Sequence, residues 1–116
     1  MPEKGFDLKV LIPTDDGLTI SENGVQQALF YLLYNVSSRS FQLAGKVKTS
    51  EWYPNLDFNI DILYKLLKEE NIDLVLTLST IGIDIPCDNK VANNPDIGIN
   101  LERLIDITDK KRANRN

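Results

Sequence analysis

The sequence predicts an α/β protein built on a mixed β-sheet, and three observations carry that prediction. A strand-like opening, Leu8 to Pro13, leads into two longer extended runs divided by short polar turns, the pattern of an antiparallel meander. Beyond them, Phe58, Ile62, Leu63, Leu66 and Leu67 recur at helical spacing. A short apolar run, Asp73 to Leu78, follows that helix. Helix-then-strand order implies a crossover onto a strand parallel to the first.

Each element has its own warrant. Leu8, Val10 and Ile12 alternate with Lys9 and Leu11, and Pro13 is expected to end the strand because it offers no ladder donor. Asp15-Asp16-Gly17 is turn chemistry, Leu18 to Ile20 a short extended piece, and Ser21 to Gly24 a turn or helix start before one helical turn over Val25 to Ala28. Leu29 to Val36 is apolar on both faces, which places it inside a sheet. After a hairpin loop at Ser37 to Ser40, Phe41 to Lys48 alternates. Phe41, Leu43, Gly45 and Val47 are expected on one face, with Gln42, Ala44, Lys46 and Lys48 on the other. Its lysines suit an edge strand. Thr49 to Pro54 reads as a loop, Asn55 or Asp57 as the cap of the next helix, and Asn71 as its stop. Ile81 to Pro95 resists assignment apart from a brief strand at Lys90 to Ala92. Ile97, Leu101, Leu104, Ile105 and Thr108 then mark a closing helix, capped by Asp96 or Asn100.

A meander followed by helical crossovers gives a three-layer α/β arrangement, and the ribonuclease H-like fold is the common one with this beginning. With 116 residues and a 42% hydrophobic share, a single domain over residues 1–109 is expected, with a disordered basic tail over residues 110–116. Thirteen basic against 17 acidic side chains, net −4, argues against nucleic acid, whose phosphates call for a basic surplus. No apolar run approaches the roughly 20 residues of a membrane span. The opening Met1 to Gly5 lacks a signal-like apolar stretch. A cytoplasmic location is the expectation.

Scarcity narrows the chemistry further. Histidine is absent and Cys87 is the one cysteine. Ser-His-Asp and Cys-His nucleophiles, imidazole ligands and intrachain disulfides are therefore excluded, and the expectation is a protein that is not an enzyme. Three places remain as candidates. The bend of Thr14, Asp15, Asp16 and Gly17, with Ser21, could line a ligand cleft. Ser79, Thr80 and Gly82 follow an inferred parallel strand, where ligands of α/β sheets gather, and could offer donors to an anion. Cys87 could ligate a soft metal or cluster, although a lone cysteine is commonly a small buried hydrophobe.

Ile12 to Gly17 (IPTDDG), Ser21 and Tyr34-Asn35-Val36 together carry a resemblance. So do the segment LLKEENIDLVLTLSTIG and the stretch Gly98 to Ile105. Over residues 7–107 the chain resembles the dinitrogenase iron–molybdenum cofactor-binding family, ribonuclease H-like domains that include carriers of nitrogenase cofactor precursors. The family's histidine falls here at Asn23 or Gly24, and its Cys-Gly-Gly-Ile-Gly-Pro turn at Leu78 to Ile83. The resemblance implies a non-enzymatic carrier of an iron–molybdenum or iron–sulfur cofactor, or of a small anionic ligand, in the setting of nitrogen fixation. The alternative is a diverged scaffold or regulatory module without a metal ligand, acting through a protein partner or as a homodimer.

Overall fold

Val10, Leu11 and Ile12 have no solvent exposure, so the first strand must be covered on both faces and flanked on both edges. The computed structural model, which describes residues 8–113, shows how. β1 (Leu8–Thr14) pairs antiparallel with β2 (Phe30–Val36) on one side and parallel with β4 (Leu74–Thr77) on the other. β3 (Phe41–Lys48) continues the sheet beyond β2, and β5 (Asp88–Val91) lies parallel to β4 at the far edge. The result is a mixed five-stranded sheet in the order β3-β2-β1-β4-β5.

Four α-helical segments complete the described residues: α1 (Gly24–Gln27), α2 (Thr49–Trp52), α3 (Ile60–Glu69) and α4 (Ile97–Ala113). On one face of the sheet, Val10, Ile12, Leu32, Val36 and Leu76 pack against Ile97, Leu101 and Leu104 of α4. On the other, Leu11, Tyr31, Leu33 and Val75 pack against Leu63, Leu66 and Leu67 of α3. Each buried aliphatic side chain contributes about 1.5–3 kcal/mol, so the two layers hold the sheet from both sides. Among the described residues no helix is long and apolar enough to cross a membrane.

The meander, the parallel return of β4 and the amphipathic helices follow the expected order, but five local expectations need correction. β1 runs through Pro13 to Thr14. Pro13 is tolerated because the ladder to β4 covers only Val10 and Leu11, leaving no donor needed on that side at residue 13. Thr49 to Pro54 is not plain loop: α2 occupies its first part, and a 3-10 turn, Pro54–Leu56, follows. The cap of α3 is neither Asn55 nor Asp57. Asn59 accepts from the Asp61 N–H at 2.8 Å, while Asn55 sits at φ 57° in the 3-10 turn. The closing helix runs on to Ala113, through residues 110–113 of the expected tail; residues 114–116 lie outside the described residues.

The fifth correction concerns β3. Leu33 faces Gly45 but Tyr34 faces Leu43, so Ala44 is an extra residue bulged from the ladder. A bulge shifts the alternation by one. Phe41 and Leu43, opposite Val36 and Tyr34, share the α4 side with Lys46 and Lys48, opposite Leu32 and Phe30. Val47, opposite Tyr31, turns to the α3 side and packs there. Lys46 Nζ lies 4.1 Å over the Phe30 ring, and Tyr34 meets Phe41 edge-on at 6.0 Å.

Other ends behave as read. Asn71 takes φ 53°, and the Ile72 and Asn71 N–H groups donate to Leu67 and Lys68 carbonyls, the αL closure of a helix C-terminus. Asp96 caps α4, its Oδ1 accepting from Ile99 N–H at 2.9 Å. Asn100 serves differently: buried, it donates to the Asn94 and Asp96 carbonyls. Between β4 and β5 there is no helix. Residues 78–87 form an irregular link whose Ile81, Ile85 and Cys87 are half-buried against the α3-side layer.

Candidate functional site

Thr14 ends β1 with its side chain buried, and from there the bend closes on itself. Thr14 Oγ1 donates to the Thr19 carbonyl at 2.6 Å and accepts from Gly17 N–H at 2.9 Å. Gly17 takes φ 81°, a conformation that glycine adopts without steric cost. Asp16 Oδ1 accepts from the Leu18 and Thr19 N–H groups, each at 2.8 Å, and the Thr19 hydroxyl donates to the same carboxylate. Asp15 faces elsewhere: its Oδ2 accepts from Ser21 Oγ at 2.9 Å and its Oδ1 from Leu29 N–H at 3.0 Å. The adjacent carboxylates thus cap two different segments rather than converging.

Those donors act on the charge of Asp16. The Thr19 N–H first, then the Leu18 N–H and the Thr19 hydroxyl, favour its ionised form and lower its pKa from 3.8 to about 2. A folded-state pKa below the unfolded one adds stability that is complete above the unfolded value and is lost as pH falls through the folded one. Solvent around this exposed side chain screens the effect. In acid titrations of the melting temperature, the decline between about pH 4 and pH 2 is therefore expected to be shallower for Asp16→Asn than for the unaltered chain. Parallel curves would separate Asp16 from acid unfolding.

Ser79, Thr80 and Gly82 lie at the start of the link after β4. Ser79 and Thr80 are exposed, and Gly82 takes φ 79°. The residue that organises this loop is one the sequence reading passed over. Asn89 on β5 donates to the Val75 carbonyl and Thr77 Oγ1, and accepts from Ile81 N–H at 3.1 Å. Thr77 Oγ1 in turn donates to the Ser79 carbonyl at 2.7 Å. A lone asparagine on a short polar strand carries no pattern to announce that role.

The fold brings Ser79 and Thr80 of the second candidate against the segment that follows the bend, and no residue of the first candidate, Thr14 and Gly17 included, reaches them there. Asn23, Gly24 and Gln26 meet Thr77, Ser79, Thr80 and Ile81 around a cleft of about 50 Å³. Asp15, Asp16 and Ser21 do not line it. Small-molecule sites span roughly 300–1,000 Å³, so this cleft suits nothing beyond a very small ligand. A shallower depression of about 380 Å³ next to it is lined by Thr80, Gly82, Ile83, Asp84, Asn89 and Val91. Its charged side chain is a carboxylate, the wrong sign for an anion. A third hollow, about 310 Å³, lies between α1 and α2 and is lined by Val25 to Leu29, Thr49 and Tyr53.

A cofactor cluster fares no better against the donor set. Cys87 stands before β5, at the end of the parallel strands opposite the cleft, about 13 Å away by the length of β4. Burial first, then the neighbouring Asp88 and Asp73 carboxylates, push its thiol up to about 11, and one thiol cannot close a cluster site alone. Among the described residues no three His, Cys, Asp or Glu side chains are grouped to hold a metal. The described residues do not fit an iron–molybdenum or iron–sulfur group.

The remaining unusual surface is β3. Its outer edge pairs with no strand among the described residues. Leu43 is 52% exposed and Phe41 38%, and Lys46 and Lys48 project from the same face with no carboxylate paired to them among the described residues. No protein-family model matches the chain, and no curated protein matches it.

Proposed function

We propose that this chain is a non-enzymatic ribonuclease H-like domain that acts through protein contacts, adding an extended, carboxylate-bearing segment of a partner to the free edge of β3. The observation that carries the reading is the coincidence on β3 of an unpaired edge, exposed Phe41 and Leu43, and unpaired Lys46 and Lys48. Strand addition draws affinity from main-chain hydrogen bonds and specificity from alternate side chains. The sheet order, with β2 reversed among otherwise parallel strands, supports the three-layer ribonuclease H-like assignment. The lysines oppose a homodimer through this edge, because a second copy would gather four ammonium groups on one seam. The same lysines favour carboxylates. A reducing, cytoplasmic setting fits the single cysteine, and the net charge of −4 speaks for a protein rather than a nucleic-acid partner.

The carrier reading has one observation in its favour, the meeting of Asn23–Gly24 with Ser79–Thr80 around the small cleft. Its size and the engaged carboxylates of the bend weigh against it. A peptide titration decides. An octapeptide of alternating Glu and Val, matched to the eight residues of β3, is expected to shift backbone amide resonances confined to Phe41–Lys48. The Lys-Val counterpart leaves them in place, and Lys46→Glu with Lys48→Glu reverses the preference. Unmoved β3 resonances with both peptides, or a brown, iron-loaded protein after anaerobic reconstitution with iron and sulfide, would overturn the proposal.

A further inference from the structure

Two side chains carrying a Cγ carbonyl stand immediately before glycine: Asp16 before Gly17 and Asn23 before Gly24. A backbone nitrogen unshielded by a following Cβ can attack such a carbonyl and close a five-membered succinimide. The structure treats the two pairs very differently. Gly17 N–H is held by Thr14 Oγ1 at 2.9 Å, and the Asp16 carboxylate is ionised and engaged by two backbone N–H groups at 2.8 Å. Both nucleophile and electrophile are tied down there.

At the second pair the electrophile is free of any capping bond and the nucleophile is held only by a long one. Asn23 is exposed and stands at the N-terminus of α1 without a side-chain capping bond. The Gly24 N–H reaches the Ser21 carbonyl only at 3.3 Å. Gly24 takes φ 67°, and nothing lies within 4 Å of where a Cβ would stand, so solvent and a new ring both have room. We infer that Asn23 is a site of spontaneous deamidation, exposed and unprotected where the neighbouring Asp16 is locked.

In this step the Gly24 nitrogen bonds to Asn23 Cγ, the Cγ–Nδ2 bond breaks, and ammonia departs carrying the nitrogen's proton. Water then opens the imide. Attack at Cγ yields aspartate; attack at the Asn23 main-chain carbonyl yields isoaspartate, with the chain routed through Cγ. No oxidant or reductant is needed. Either product places a carboxylate on the rim that Asn23 shares with Ser79 and Thr80. It also stands close to Asp15, which grips the Ser21 hydroxyl that receives the Asn23 N–H. The inference stands independently of any partner at β3.

The test incubates the full chain at mildly alkaline pH and digests it after lysine and arginine, so that Val10 to Arg39 emerges as one peptide holding both pairs. A synthetic peptide of residues 18–29 sets the unstructured rate. The amide-to-acid mass increment and an isoaspartate signal are expected at residue 23, at a rate within about tenfold of the peptide's, since only local opening of one weak turn stands in the way. Asp16 is expected to remain free of isoaspartate, and Asn23→Gln to abolish the conversion. Slower conversion than that margin, an isoaspartate signal at Asp16 of equal size, or earlier deamidation of another asparagine would overturn the inference.

Discussion

Leu11→Ala is expected to cost about 3–4 kcal/mol, a large part of the roughly 5–15 kcal/mol that holds a domain of this size. Leu11 is fully buried at the middle of β1. It faces Leu33 across the antiparallel ladder and Val75 across the parallel one, within the layer built on Leu63, Leu66 and Leu67. Paired on both edges, the strand cannot move to fill the vacated space, so transfer and cavity costs add. Urea unfolding is expected to show a lower midpoint with an unchanged slope, because the surface exposed on unfolding stays the same. Leu18→Ala provides the contrast, since Leu18 is 73% exposed and its loss should stay within about 0.5 kcal/mol. Equal costs at the two positions would contradict the layer described.

Tyr31→Phe is the second large effect, expected at about 2–3 kcal/mol against about 1 kcal/mol for Tyr53→Phe. The Tyr31 hydroxyl donates to the Val25 carbonyl, which can only accept. The 2.9 Å contact between the two hydroxyls must therefore be a donation from Tyr53 to Tyr31. Tyr31 sits in the middle of this chain. Its loss strands a buried carbonyl on α1 and a phenol on the far side, whereas loss of the Tyr53 hydroxyl leaves Tyr31 with its own donation intact. Desolvation raises the Tyr31 pKa well beyond its ordinary value and raises that of Tyr53 as well, so both rings remain protonated throughout the neutral range. The two variants, compared by thermal unfolding, should differ in that order; a reversed order would mean the proton chain runs the other way.

Where the sequence is legible, periodicity carries it. Leu29 to Val36 and the Leu63-Leu66-Leu67 face announce their layers because apolar residues on both sides of a strand, or on one stripe of a helix, have few other uses. The errors sit where one local hydrogen bond decides. Asn59 rather than Asn55 or Asp57 caps α3, since all three residue types cap well and only the chain's path selects among them. The β3 alternation misleads because a bulge leaves no mark in composition. At the bend, TDDG reads equally as a site or a turn, and the positions of the donors from Leu18, Thr19, Ser21 and Leu29 decide for the turn. Asn89 and Asn100 stay silent because an amide serving three-dimensional neighbours has no sequence period.

The bulge at Ala44 means that β3 carries one more residue than its ladder uses. Loss of that single codon would leave Leu33 opposite Gly45 and Tyr34 opposite Leu43, with every side chain still on its present face. The rim would then be flat and regular, a better template for runaway self-assembly into fibrils. The exposed alanine thus keeps the edge irregular, which opposes endless stacking of copies while a single short segment can still pair on either side of it.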